Sequence, residues 1–417
     1  MSKIIVEGGH PIAGEINLQG SKNSALPILA ATLLIRGKTL LHNCPNLSDV
    51  RAALKILECL GCKCLFKNNT ALIDAKNVSC SFVPVELMRE MRSSVVFLGA
   101  ILSRCTVATI SAPGGCELGP RPIDLHLKAL EQTGYSVKET GGYITCKRER
   151  LLQDVKIHLD FPSVGATENI ILGAVYSAGR VVLYNAAKEP EITDLADYLN
   201  KAGAKIRGAG TDTVEIIGVK ALYDTEHTVI SDRIVAATYM SAAAATCGDI
   251  TINNVDHTHM TAIINSFSEM GNRISTDNNR LRIVSECPLK CIKTTRSTVY
   301  PGFPTDAGPL LVSALTKAQG TSVFIENIFE NRFSYISELK LLGADIKVFG
   351  KIAVVEGVKS LKGANLLCTD LRGGAAAVIG ALAAEGKSVV DRICHIERGY
   401  ENIVDAFTAL SAKIIKE

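Results

Sequence analysis

The sequence predicts an α/β (α+β) fold arranged as a two-domain, inside-out barrel: six repeated units whose outer sheets surround buried helices. Three observations carry this expectation. The chain has 417 residues, more than one core usually organises, and 47 % hydrophobic content supplies a packed interior. A phrase made of a helix end, a glycine and a short strand recurs about every seventy residues. Alanine-rich stretches such as GGAAAVIGALAAEG are apolar nearly all round, as a helix buried on every side must be.

The recurring phrase reads LECLGCKC, LEQTGYSV, LNKAGAKI, FSEMGNRI, LKLLGADI and FTALSAKI. It aligns Gly61, Gly134, Gly203, Gly271, Gly343 and Ser411, with successive separations of 73, 69, 68, 72 and 68 residues. A glycine there suits the left-handed residue just past a helix C-terminus. Ser411 lacks that freedom, so the last helix is expected to end less cleanly. Upstream of each phrase lies a small-residue apolar stretch followed by a strand, as in LVSALTKAQGTSVFIEN and SAAAATCGDITINN. Each unit therefore reads as buried helix, strand, loop, amphipathic helix, strand, turn, strand. The sixth unit stops one strand short at SAKIIKE, and the N-terminal strands KIIVEGG and GEINLQG are expected to complete it. One domain then covers 21–229, and the other covers 1–20 plus 230–417, with both termini and a double crossover.

Composition narrows the function classes. The chain carries 45 basic and 42 acidic residues, a net charge of +3, with no basic run of nucleic-acid type. No apolar stretch is long enough for a membrane span, and MSKIIVEGGHPIAGE lacks the layout of a signal peptide. The 13 cysteines are odd in number and scattered, which does not read as a disulfide framework. A reducing cytoplasm is the simplest setting.

The polar residues collect in the loops that follow each unit's first strand, at APGGCELGPRPIDLH, NAAKEPEITDLA, NIFENRFSYISEL and RICHIERGYENI. The matching loops NCPNLSDV and NVDHTHMTA carry fewer cations. Equivalent loops gather at one end of each domain, and two domains face to face would form a cleft. Lys22 and Asn23 in GSKNSALP, Arg92 in EMRSSVVFLGA and Arg372 in TDLRGGAAAVIG stand just before apolar helices. A cation at a helix N-terminus adds its charge to amide donors and the dipole, which suits an anion. Asp306 in YPGFPTDAGPLL stands at another helix mouth, as a site carboxylate or as an ordinary first-turn cap. Cys116 follows two glycines and stands five residues before Arg121.

The motifs GSKNSALP, MRSSVVFLGA, PGGCELGPRPIDLHLKALEQTG, SVGATEN, EPEITDLADYLNKAGAKI, PGFPTD, IFENRF, TDLRGG and HIERGYENI run the length of the chain. Together they resemble the enolpyruvyl transferase family, and within it the branch that acts on UDP-N-acetylglucosamine. The resemblance implies two domains of three βαβαββ units each. It implies transfer of the enolpyruvyl group of phosphoenolpyruvate to the sugar 3′-hydroxyl, with loss of phosphate, at the first committed step of peptidoglycan precursor synthesis. It implies a proton delivered to C3 by Cys116, which can also hold phosphoenolpyruvate as a thioketal, and Asp306 as general base. Lys22 and Arg398 complete the catalytic set. Lys22, Asn23, Arg121, Arg332, Arg372 and Arg398 would hold phosphoenolpyruvate. Asn23, Arg92, Arg121, Pro122, Ile123, Asp124, Leu125, Ser163, Val164, Gly165, Asp306 and Ile328 would surround the UDP-sugar. Glu189 and Glu191 are expected either to orient these groups or simply to sit near a helix start. No cofactor or metal is implied. A monomer with two small-molecule substrates, and neither nucleic acid nor membrane as partner, is the expected form.

The chain departs from the family pattern at TDAGPLL and LRGGAAAV, which places helix-start geometry in question there. Competing readings are the sister reaction on shikimate 3-phosphate and a non-catalytic, repeat-built binding protein. The cysteine loop disfavours the first, and the complete catalytic set disfavours the second. CLGCKC has a CxxC spacing but no second ligand pair, and His257 and His259 have no supporting ligand set, so neither reads as a metal site.

Overall fold

The computed structural model describes residues 2–91, 93–111, 123–150 and 153–417. The chain forms two compact units. One takes Ser231–Glu417 together with the N-terminal strands as far as Gln19, and the other runs from Gly20 to Ile230.

Each unit holds three central helices. In the Gly20–Ile230 unit these are α1 (Lys22–Ala31), α2 (Phe97–Cys105) and α3 (Val164–Ala174). In the other they are α4 (Arg233–Thr246), α5 (Gly308–Leu315) and α6 (Leu371–Ala383). Every residue of α4 and α5 is buried. Alanine and glycine let the helices pack closely, α5 against α6 and α2 against α3. Three starts carry side-chain caps: Ser163 accepts from the Ala166 N–H, Asp232 from Ile234 and Val235, and Asp370 from Arg372 and Gly373.

Six separate sheets of four or five strands flank these helices, and among the described residues none closes into a barrel. The enclosure comes from helices walled by several small sheets, not from a continuous ring of strands. One sheet shows the common pattern. Val155–His158 lies parallel to Arg180–Tyr184, which pairs antiparallel with Thr213–Ile217, which pairs antiparallel with Lys205–Arg207. The parallel strand belongs to the preceding repeat, so here one repeat lends a strand to the next.

That lending corrects one expectation. Of the two N-terminal strands, only Ile4–Gly8 completes the last unit, between Ala384–Asp391 and Lys413–Lys416. Ala13–Asn17 pairs instead with Asp249–Asn253 of the fourth repeat. In the same way Thr225–Thr228, at the end of the third repeat, returns to Lys38–His42 of the first.

The helix-end glycines adopt positive φ, from 94° to 108°, and Ser411 does the same at 63°. The last helix, Ile403–Ala409, closes with the hydrogen-bond pattern of the others: Ser411 N–H to Thr408 and Ala412 N–H to Phe407, as Gly343 bonds Lys340 and Ala344 bonds Leu339. The expected untidy end is not seen. The surrounding strands hold serine in the glycine conformation, and its hydroxyl donates to the Ala13 carbonyl at 3.2 Å. One cysteine pair is also joined, an isolated bridge and not a framework. Cys247 follows α4, Cys287 follows the strand Arg280–Val284, and a disulfide links them with Cα atoms 5.6 Å apart.

Candidate functional site

The candidate residues fall on both units. In the unit carrying α5 and α6, Asp306 lies in a 3₁₀ turn, Thr305–Ala307, that runs directly into α5. Its carboxylate accepts from Arg332 Nη2 at 3.0 Å and from Arg372 Nε at 3.4 Å. Both arginine side chains are only 2 % exposed, whereas Asp306 is 31 % exposed. Two buried cations therefore converge on one solvent-facing carboxylate.

Arg372 is the second residue of α6, behind the Asp370 cap. Its Nη1 donates to the Tyr400 hydroxyl at 3.2 Å, and its guanidinium lies over the Tyr400 ring. The Tyr400 hydroxyl is 2.7 Å from Thr238 of α4, so the arginine is tied to two central helices. Burial pulls the Arg372 pKa down, but Tyr400 and Asp306 outweigh burial and raise it above its ordinary value. Arg332 Nη2 also donates to the Thr305 carbonyl at 3.1 Å, and its guanidinium lies over Phe329. Arg332 Nε and Arg372 Nη2 are buried and have no hydrogen-bond partner among the described residues. Buried donors are ordinarily satisfied, so two orphaned N–H groups on adjacent cations mark a place for an anion. Arg398 closes the 3₁₀ turn Ile393–Arg398, which packs against α6, and is half-buried. Ile328, also half-buried, follows the strand Thr321–Ile325.

The glycine-rich departures have a steric reason. A Cβ at Gly308 would lie 2.7 Å from the Phe324 ring. One at Gly373 would lie 2.7 Å from Asp370 Oδ2 and 2.9 Å from Tyr335 Cβ. Glycine brings each helix start close against its neighbours, and the helix mouths are formed.

In the other unit Lys22 and Asn23 open α1, both half-buried. Lys22 Nζ lies 3.5 Å from Asp49, a buried carboxylate in the first turn of the helix Ser48–Cys59. Ser24 donates to Asp194, which also accepts from the Ile230 N–H at 3.3 Å and lies 2.8 Å from His227 Nε2. The segments Ile123–Leu125 and Ser163–Gly165, both expected around the sugar nucleotide, are brought together by His126, whose Cε1 would lie 3.0 Å from a Cβ on Gly165. The amide of Asn169 fixes the imidazole: Oδ1 accepts from the Gly99 N–H at 2.7 Å, and Nδ2 donates to Val95 O at 2.9 Å and His126 Nδ1 at 2.8 Å. Nδ1 is thus the acceptor, and Nε2 carries the proton of the neutral ring. Burial pushes the His126 pKa down to about 4, against a smaller opposing pull from Asp124. Glu168 is pushed well above the carboxylate range by burial, reinforced by Glu191 and Glu189.

Arg92, Cys116, Arg121 and Pro122 lie outside the described residues. Tyr400, Asp370, Asp49, His126 and Asn169 escape sequence reasoning as site residues. Tyr400, Asp370, His126 and Asn169 stand inside the family motifs, and Asp49 stands in the NCPNLSDV loop, which draws attention only for its few cations. In CLGCKC, burial pushes Cys62 and Cys64 up to about 12, where little thiolate forms near neutral pH. His259 pairs with Asp256 at 3.4 Å. Among the described residues no group of three His, Cys, Asp or Glu side chains is placed to hold a metal ion.

Comparison with known proteins decides the family. Residues 6–407 match the family model of EPSP synthase (3-phosphoshikimate 1-carboxyvinyltransferase). A UDP-N-acetylglucosamine 1-carboxyvinyltransferase 2 of Caldanaerobacter subterraneus subsp. tengcongensis is 49 % identical, over all of both chains. This chain belongs to the enolpyruvyl transferase family. A UDP-N-acetylglucosamine 1-carboxyvinyltransferase of Kosmotoga olearia is 42 % identical over 99 % of each chain. Among solved structures, the enolpyruvyl transferase NikO of Streptomyces tendae superposes with a TM-score of 0.91 at 23 % identity, covering 100 % of this chain and 99 % of that one. The EPSP synthase of Acinetobacter baumannii superposes with a TM-score of 0.78 at 18 % identity, over all of both chains. These superpositions carry the mixed α/β fold of the family. No helix among the described residues is long and apolar enough to cross a membrane.

Proposed function

We propose that the chain transfers the enolpyruvyl group of phosphoenolpyruvate to the 3′-hydroxyl of UDP-N-acetylglucosamine, releasing phosphate, at the first committed step of peptidoglycan precursor synthesis in the cytoplasm. The observation that carries the chemistry is the pair of buried arginines beside Asp306, each with an N–H group unpaired among the described residues. Phosphoenolpyruvate presents a phosphate and a carboxylate, and two fixed guanidinium forks suit such a pair of anionic groups. The names of the relatives support the sugar nucleotide as acceptor over shikimate 3-phosphate, and support an enzyme over a binding protein.

In the reaction the Cys116 thiol gives its proton to C3 of phosphoenolpyruvate while the sugar oxygen attacks C2 and loses its proton to Asp306. The tetrahedral adduct then loses a C3 proton as the C2–O bond to phosphate breaks, leaving the enolpyruvyl ether. Arg332 and Arg372 hold Asp306 in one orientation and spread positive charge where the phosphate collects negative charge. Lys22, Asn23, Arg121 and Arg398 complete the anion contacts. Arg92, Ile123–Leu125, Ser163–Gly165 and Ile328 hold the UDP-sugar. Phosphate release from phosphoenolpyruvate is expected only when UDP-N-acetylglucosamine is present, and release driven by shikimate 3-phosphate instead would falsify the assignment. Cys116→Ser is expected to abolish turnover together with labelling by the epoxide fosfomycin. Labelling retained at Cys59 would remove Cys116 from the mechanism.

A further inference from the structure

Glu326 is a buried carboxylate that the mechanism leaves unused. It follows the strand Thr321–Ile325 and is 1 % exposed. Among the described residues it forms no ion pair; four donors converge on it instead. Oε2 accepts from the Thr305 hydroxyl at 2.8 Å. Oε1 accepts from the Ser297 hydroxyl at 2.8 Å and from the N–H groups of Ile328 at 2.7 Å and Phe329 at 3.0 Å. Burying a carboxylate without a cation is costly, and a well-packed apolar side chain would serve stability as well or better. What this carboxylate does is join two segments: the turn that presents Asp306, and the bend that presents Ile328 and the Phe329 ring beneath Arg332.

Thr305 is held from both sides, its hydroxyl by Glu326 and its carbonyl by Arg332 at 3.1 Å, and Asp306 is the next residue. Ser297 extends the second arm, because its hydroxyl also accepts from the Asn327 N–H at 2.8 Å. We infer that Glu326 is a positioning residue whose two oxygens set the Asp306 turn and the Ile328 bend in one geometry. It thereby couples the general base to the seat of the sugar nucleotide. The inference rests on the function proposed above. Because only one oxygen serves each arm's hydroxyl, the arms can be cut separately, and they should fail differently: the Thr305 arm in the chemical step, the Ser297 arm in UDP-sugar binding.

The test is steady-state phosphate release by the full chain with both substrates varied. Thr305→Val is expected to lower kcat about tenfold with both KM values within about twofold, and Thr305→Ser to restore it. Ser297→Ala is expected to raise KM for UDP-N-acetylglucosamine about fivefold while kcat is kept. Glu326→Gln, which keeps the shape and replaces one acceptor by a donor, should show both effects. Should Glu326→Gln fail to fold, the two single-hydroxyl variants decide the matter. Thr305→Val indistinguishable from the unmutated chain, or Thr305→Ser as impaired as Thr305→Val, overturns the inference while the functional reading stands. An unmutated chain that releases no phosphate with UDP-N-acetylglucosamine overturns both.

Discussion

The starts of α1 and α6 occupy the same place in the repeat, yet they hold their cations differently. At α6, Arg372 has Asp306 on one side, Tyr400 on another, an Asp370 cap behind it and almost no exposure. At α1, Lys22 has Asp49 at 3.5 Å, a side chain 12 % exposed, and a Ser21 N-cap whose side chain does not cap the helix. One scaffold thus supplies a planar fork with almost no exposure at one helix mouth and a partly exposed point charge at another. A guanidinium tied at several atoms cannot turn away from an anion, whereas an ammonium on a four-carbon stem can follow one. Pre-organisation here depends on the neighbours of a helix start rather than on the helix start itself.

The largest effect should come from breaking the anchored side. Arg372→Lys keeps the charge but loses the fork, and kcat/KM is expected to fall at least a thousandfold, about 4 kcal/mol of transition-state stabilisation. A loss below tenfold would show that charge alone is needed there. Next is Gly373→Ala, whose new Cβ meets Asp370 and Tyr335. A stability loss of about 2 kcal/mol is expected by denaturant titration, despite alanine's better helix propensity.

The third prediction concerns pH. The folded His126 pKa is depressed to about 4 from 6.5. Below pH 6.5 the unfolded chain therefore binds a proton that the native ring refuses. Stability is present above that pH and lost as pH falls towards 4, by about 2 kcal/mol between pH 7 and pH 5. His126→Gln should flatten the change, measured as denaturant midpoints at the two pH values. The smallest effect is expected at Gly165→Ala, in the first turn of α3 as Gly373 is in the first turn of α6. There the neighbour is the edge of the His126 ring at 3.0 Å, and the loss should stay below about 1 kcal/mol. A larger loss at Gly165 than at Gly373 would invert the comparison and make the unit of α3 the stiffer one.

Much of the fold was legible because burial writes itself into composition. A helix buried all round must be apolar all round, and GGAAAVIGALAAEG is. The helix-end glycines were legible because glycine, with no Cβ, adopts that turn without strain, and Ser411 shows that tertiary packing overrides the rule. The partner of Ala13–Asn17 was not legible, since backbone pairing between distant repeats leaves no mark on side-chain type. The same holds for Cys247 and Cys287, which lie 40 residues apart. At the site, motif resemblance pointed to Asp306, Arg332 and Arg372 one at a time. Their convergence, and the dependence of that convergence on Tyr400, arise from strands and helices far apart in the chain.

The sequence by itself determined the repeat, the helix mouths and the kinds of charge placed there, because periodicity and composition are local properties. Only the tertiary structure decided which carboxylate each cation meets, which donors stay unpaired, and which buried acid, Glu326, joins two loops. Those outcomes depend on distances between side chains that share no local pattern, and a linear pattern carries no record of such distances.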